Sequence, residues 1–124
     1  MSRPRLLIVD DEAYNRDLLE RTFVRLAQVV VAVDAPAALA ACEAAAFDVV
    51  VTDQRLVGGR GTELAAQIRA RWPATRIVVI TGYTDDDELI AAHAAGVVDD
   101  VIGKPWAPVA LRARVLATGA EVTS

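Results

Sequence analysis

The feature that most constrains the fold of this 124-residue chain is an alternation. Five short runs rich in β-branched residues, LLIV (6–9), VVVAV (29–33), DVVVT (48–52), RIVVI (76–80) and VDDVI (98–102), are separated by segments with helical spacing. Three of the runs are continuously apolar rather than alternating, which suits strands covered on both faces, as in a parallel sheet. Strand and helix in strict succession imply an α/β fold with right-handed crossovers. The chain is too short to close the eight βα units of a barrel, so an open, doubly wound sheet is expected.

The helical segments carry their own signals. Tyr14, Leu18, Leu19, Phe23 and Leu26 fall on one side of a first helix. A second, Ala-rich helix spans Pro36 to Ala46, with Pro36 suited to a helix start. The third, Thr62 to Trp72, repeats Leu64, Ile68 and Trp72 at four-residue steps and stops at Pro73. The fourth, Asp85 to Ala95, opens on acids that favour a helix N-terminus and closes at Gly96. The fifth, Ala107 to Ala117, carries Leu111, Val115 and Leu116.

Composition narrows the function classes. The net charge of −4 lacks the basic stripe of a general nucleic-acid surface. No apolar run reaches the roughly 20 residues of a membrane span, and no signal peptide is read at the N-terminus. One cysteine, Cys42, cannot form an internal disulfide. Together these make the cytoplasm the expected compartment.

Ligands of an open α/β sheet sit beyond the carboxyl ends of the strands. The residues found there are Asp10 and Asp11, Asp53, Thr81 with Gly82, and Lys104 with Pro105; the second strand offers only Asp34 and is read as an edge. Three carboxylates gathered at one rim suit a hard divalent cation, Mg²⁺, which keeps several waters and leaves room for a phosphate. A carboxylate can attack phosphorus and form an acyl phosphate. Asp53 is the best candidate, since it stands alone on a central strand end before a glycine-bearing loop. A phosphoryl group brings about −1.5 to −2 charge and three acceptor oxygens. The cation, the Lys104 ammonium and the Thr81 hydroxyl would each meet one of them.

Other notable residues have plainer readings. Asp34 and Asp85 to Asp87 are helix caps. GGRG (58–61) lacks the lysine and hydroxyl ending of a P-loop and is a turn into the third helix. His93 has no metal-spaced partner, Cys42 is a small buried hydrophobe, and Trp72 packs at a helix end.

The constellation resembles the receiver domain of two-component response regulators over nearly the whole chain. IVDDE (8–12), VTDQRLVGGRGTEL (51–64), VVITGYTD (78–85) and GKPW (103–106) carry the resemblance, in order and at βα spacing. It implies a flavodoxin-like, CheY-like three-layer sandwich, with five parallel strands in the order 2-1-3-4-5 and five helices. It implies a signalling domain rather than an enzyme, with weak autophosphatase activity at most. Its donor would be the phosphohistidine of a sensor histidine kinase or phosphotransfer protein.

Carried over by position, Asp53 corresponds to the phosphoacceptor, Asp11 to a direct Mg²⁺ ligand and Asp10 to one acting partly through water. Asp53 itself and the backbone carbonyl of Arg55 would complete the metal set. Thr81 corresponds to the switch hydroxyl and Lys104 to the phosphate-pairing lysine, before a cis bond to Pro105. The output surface would be the fourth helix, fifth strand and fifth helix, facing an output domain or partner not named by the sequence, with a homodimer left open. Residues 1–118 would form the receiver and 119–124 a tail or the start of a linker.

The chain departs from the family pattern in three places. Val57 stands where a proline is usual, Arg60 precedes the loop glycine Gly61, and Val101 replaces the aromatic three residues before the lysine. Tyr83 or Trp106 is then a candidate readout of the switch, and Arg55 and Tyr83 sit where they could shield Asp53 from water. The rival readings are a phosphohydrolase passing through an aspartyl phosphate, disfavoured by the spacing of Asp10 and Glu12 and the lack of length for a cap, and a non-phosphorylated interaction module of the same fold.

Overall fold

The computed structural model describes residues 3–117. In chain order the elements are β1 (Arg5–Val9), α1 (Ala13–Phe23), β2 (Gln28–Ala32), α2 (Ala35–Ala44), β3 (Val49–Asp53), β4 (Arg55–Leu56), β5 (Gly59–Arg60), α3 (Gly61–Arg71), β6 (Arg76–Thr81), α4 (Asp87–Ala94), β7 (Asp100–Gly103) and α5 (Pro108–Val115). Five strands form one parallel sheet in the order β2-β1-β3-β6-β7. This is the expected order 2-1-3-4-5, with the short antiparallel β4–β5 hairpin standing apart as a second sheet.

The unbroken apolar runs are explained by two cores on opposite faces of the sheet. Leu7, Val9, Val50, Ile77 and Val79 point into one, with Ala38 of α2, Leu64 and Ile68 of α3 and Leu89 of α4. Leu6, Ile8, Val49, Val51, Val78 and Ile80 point into the other, with Leu19 and Phe23 of α1 and Leu111 and Val115 of α5. Successive strand side chains face opposite ways, so a strand buried on both faces must be apolar at every position. β2 lies at the edge as expected, and Val30 and Val31 are partly exposed there.

Several boundaries differ from the sequence reading. The apolar periodicity of the first helix overstated its buried face: Leu19 and Phe23 are buried, but Tyr14 is 76% exposed. Leu18 is also exposed, and Leu26 lies past the helix in a turn where its N–H bonds Phe23 O. The last strand begins at Asp100 rather than residue 98, because the Val97 and Val98 N–H groups both donate to Ala92 O and wrap the end of α4. Val98 is buried from that turn.

The plainer readings fare well. Asp34 caps α2 by accepting from Ala37 N; of Asp85 to Asp87 only Asp86 caps α4, accepting from Glu88 and Leu89 N, while Asp87 lies in the first turn of the helix. Gly58, with φ of +79°, makes the hairpin turn that leads into α3. Cys42 is buried, His93 is exposed, and Trp72 is half-buried with the Arg71 guanidinium over its ring. Among the described residues no helix is long and apolar enough to cross a membrane. The expected tail, 119–124, lies outside the described residues.

Candidate functional site at the strand ends

β1, β3, β6 and β7 are neighbours, so the residues at their carboxyl ends meet at one rim. Asp53 closes β3 opposite Ile80, and Thr81 closes β6 opposite Gly103. Lys104 follows β7, its N–H donating to Thr81 O at 2.8 Å, and its bond to Pro105 is cis. The Lys104 ammonium lies 2.9 Å from Asp53 Oδ2. The other oxygen, Oδ1, accepts from Arg55 N at 3.3 Å. The Thr81 hydroxyl is buried and accepts from Tyr83 N at 3.0 Å.

A cavity of about 250 Å³ opens over this pair, lined by Asp11, Glu12, Asp53, Arg55, Thr81, Gly82, Tyr83 and Lys104. Arg55 and Tyr83 form part of its wall as a stacked pair, the guanidinium carbon 4.4 Å from the ring centroid. The sequence reading had singled out Asp11, Asp53, Arg55, Thr81 and Lys104, and the fold gathers them here. Glu12 joins them, although the reading assigned it no role; its place directly after the acidic pair was the available signal.

Asp10 takes a different position. It is 2% exposed and is not among the residues lining the cavity. Its Oδ1 accepts from Glu12 N at 2.9 Å, and its carbonyl accepts from Arg16 Nη1 at 2.8 Å. Burial raises its pKa above the ordinary carboxylate value, opposed by the Glu12 N–H; the Asp53 charge adds to the rise, Lys104 opposes it, and Asp11 adds again. Acidic side chains at the site, Asp11, Glu12 and Asp53 with Asp10 behind them, outnumber its basic ones, Arg55 and Lys104.

That imbalance is the test of whether a divalent cation fits. Among the described residues no group of three carboxylate, imidazole or thiol side chains closes on one point tightly enough to cage an ion. Mg²⁺ does not need such a cage: it retains waters and binds through one or two carboxylates and a phosphate. Of the three carboxylates on the wall, Asp11 and Asp53, with Asp10 crowded behind them, are a donor set of that kind.

The roles of two further residues escape the sequence reading. Gly61 begins α3 so close to β3 that a Cβ there would lie 2.5 Å from Asp53 O. Gln54, next to Asp53, is buried and bonded to Thr62. Neither role has a local pattern, since the contacts arise only when the hairpin folds back.

Comparison with known proteins agrees with this fold. The family described as response regulator receiver domain matches residues 6–116. The chain is 36% identical over 104 residues to the hydrogenase transcriptional regulatory protein HoxA of Cupriavidus necator, covering 83% of this chain and 21% of that protein. It is 42% identical over 119 residues to the virulence sensor protein BvgS of Bordetella bronchiseptica, covering 90% of this chain and 10% of that one. The chain thus spans a quarter or less of the curated relatives it matches. Among solved structures, a CheY-like response regulator receiver domain protein from Methanospirillum hungatei superposes with a TM-score of 0.85 at 29% identity, covering 92% of this chain and 91% of that one. The chain belongs to the response regulator receiver domain family.

Proposed function

We propose that Asp53 is the phosphoacceptor of a two-component phosphorelay, and that the phosphohistidine of a sensor histidine kinase or phosphotransfer protein is its donor. The observation that carries this is the 2.9 Å contact between Asp53 Oδ2 and Lys104 Nζ inside a cavity also lined by Asp11 and Thr81. In the transfer, an Asp53 oxygen forms the new bond to phosphorus as the P–N bond breaks and the imidazole takes the electron pair. The Lys104 ammonium then moves from the carboxylate to a phosphoryl oxygen, a task suited to a flexible point charge. The Thr81 hydroxyl, held beside the cavity, turns to a second oxygen.

Asp11, Asp53 and the Arg55 carbonyl would hold Mg²⁺, with the Asp10 carboxylate behind them. When bound, that ion neutralises charge on the phosphoryl oxygens. The acyl phosphate would bias a two-state arrangement of loops and helices read at α4, β7 and α5 by an attached or separate output partner. The free, buried thiol of Cys42 fits a cytoplasmic setting.

Labelling from a radioactive small phosphodonor tests the assignment. Wild-type chain is expected to take about one phosphoryl group in the presence of Mg²⁺, and Asp53→Asn none. Equal labelling of the variant would sink the assignment, and steady turnover of a phosphomonoester would favour a hydrolase instead.

A further inference from the structure

A polar chain, buried at its inner end, leaves the site at Gln54. This side chain is 3% exposed, and Thr62, its partner at the start of α3, is 5% exposed. Gln54 Oε1 accepts from Thr62 N at 3.0 Å, and Gln54 Nε2 donates to Thr62 Oγ1 at 3.3 Å. The Thr62 hydroxyl in turn donates to Glu88 Oε1 in the first turn of α4, and Arg60 pairs with the other oxygen of that carboxylate. Three elements, the end of β3, the start of α3 and the start of α4, are joined through one threonine.

The bonding fixes a direction. The Thr62 N–H needs an acceptor, which sets the Gln54 oxygen toward it and the amide nitrogen toward the hydroxyl. A hydroxyl has one proton; having accepted from Gln54, it gives that proton to Glu88. Donors and acceptors chained in this way polarise one another, most strongly at the buried Gln54–Thr62 end; the Glu88 side chain, 38% exposed, brings the chain to the surface. The backbone is equally tight: Gly61 N donates to Gln54 O at 2.8 Å, and Gln54 N donates to Ile80 O at 3.3 Å. Because Gly61 has no Cβ, the start of α3 lies directly against the end of β3, where a Cβ would fall 2.5 Å from Asp53 O.

A satisfied buried pair needs no further role, since buried polar groups are normally bonded. Here, however, the pair continues to a carboxylate on another helix. We propose that Gln54, Thr62 and Glu88 form a polar relay that couples the Asp53 end of β3 to the first turn of α4. They are positioning residues, and the relay's use as a switch rests on the reading of Asp53 as phosphoacceptor.

The link itself is tested without any phosphoryl ligand. Glu88→Ala is expected to shift the amide resonances of Asp53 and Gln54 in the wild-type background. The same change should have little effect on them in Thr62→Val, and its effect should return in Thr62→Ser, which restores the hydroxyl. Gln54→Met is expected to uncouple the far end in the same way as Thr62→Val. Equal shifts with and without the hydroxyl, or none in wild type, would overturn the relay.

A second arm adds Mg²⁺ and beryllofluoride and follows amide exchange along α4. At equal occupancy, exchange should change at least about fivefold in wild type and hardly at all in Thr62→Val. An undiminished α4 response in Thr62→Val overturns the relay as a switch. Failure of beryllofluoride to bind wild type overturns the phosphoacceptor reading instead, and the first arm alone then decides the relay.

Discussion

Asp10 shows how one side chain is held where its charge is costly. It is buried, bonded to a single backbone N–H, and faces Asp53 and Asp11 with only Lys104 to offset them. Burial and like charge both disfavour its ionised form, which costs folding stability, and such penalties gather at functional sites. An asparagine keeps the oxygen that accepts from Glu12 N and removes the charge. Asp10→Asn is therefore expected to melt above wild type at neutral pH without divalent cation, while its Mg²⁺-dependent labelling at Asp53 falls. Differential scanning calorimetry beside a labelling assay checks both; a variant that melts below wild type would contradict the crowding argument. Asp10, Asp11, Asp53, Thr81 and Lys104 were legible in the sequence because each follows an apolar run, and strand ends are where an open sheet places its chemistry. Gln54 and Thr62 were not, because a bond between residues on either side of a hairpin has no periodicity to betray it.

At the scale of elements, the strands were legible where burial on both faces forces unbroken apolar runs, as in β1 and β6, and less so at the edge. β7 begins on Asp100, and its start was misplaced because Val97 and Val98 belong to the turn closing α4. Asp100 earns that place by tying elements together. It accepts from Arg114 Nε at 2.8 Å and Nη2 at 2.6 Å, while Arg114 Nη2 also donates to Val101 O at 2.9 Å, so α5 is fastened to β7. Burial alone would raise the Asp100 pKa. The hydrogen bond and charge of Arg114, the Val101 N–H and the charge of Arg76 outweigh it and leave the pKa below the ordinary 3.8. With the folded value depressed, the unfolded chain takes up the proton first as pH falls. The stability supplied by the ionised group is thus complete above the ordinary value and lost as pH drops through the folded one. Urea unfolding of wild type and Asp100→Asn should give a gap that is constant near neutrality and closes below about pH 4. A gap that persists unchanged into acid would show that the carboxylate charge is not what fastens α5.

At the scale of the whole molecule, the site and both cores share the same strands. β3 ends in Asp53, sends Val50 into one core and Val49 and Val51 into the other, and so couples each face to the rim. A single domain of this size is expected to unfold in one cooperative step. A ligand that binds only the folded chain then stabilises all of it, by about 2.7 kcal/mol at a hundred times its dissociation constant. Mg²⁺ with beryllofluoride should accordingly raise the melting temperature of wild type and leave Asp53→Asn unmoved. Cavities cut into either face provide the comparison. Ile68→Ala beneath α3 is expected to cost about 2–5 kcal/mol and Phe23→Ala beneath α1 about 3–5 kcal/mol. Both variants should still melt in one transition, and both should gain the same increment from the ligand, because neither cavity reaches the rim. If the increment vanished in one variant and survived in the other, or if either melted in two steps, the two faces would be separate folding units, and occupancy at Asp53 would be felt by only one of them.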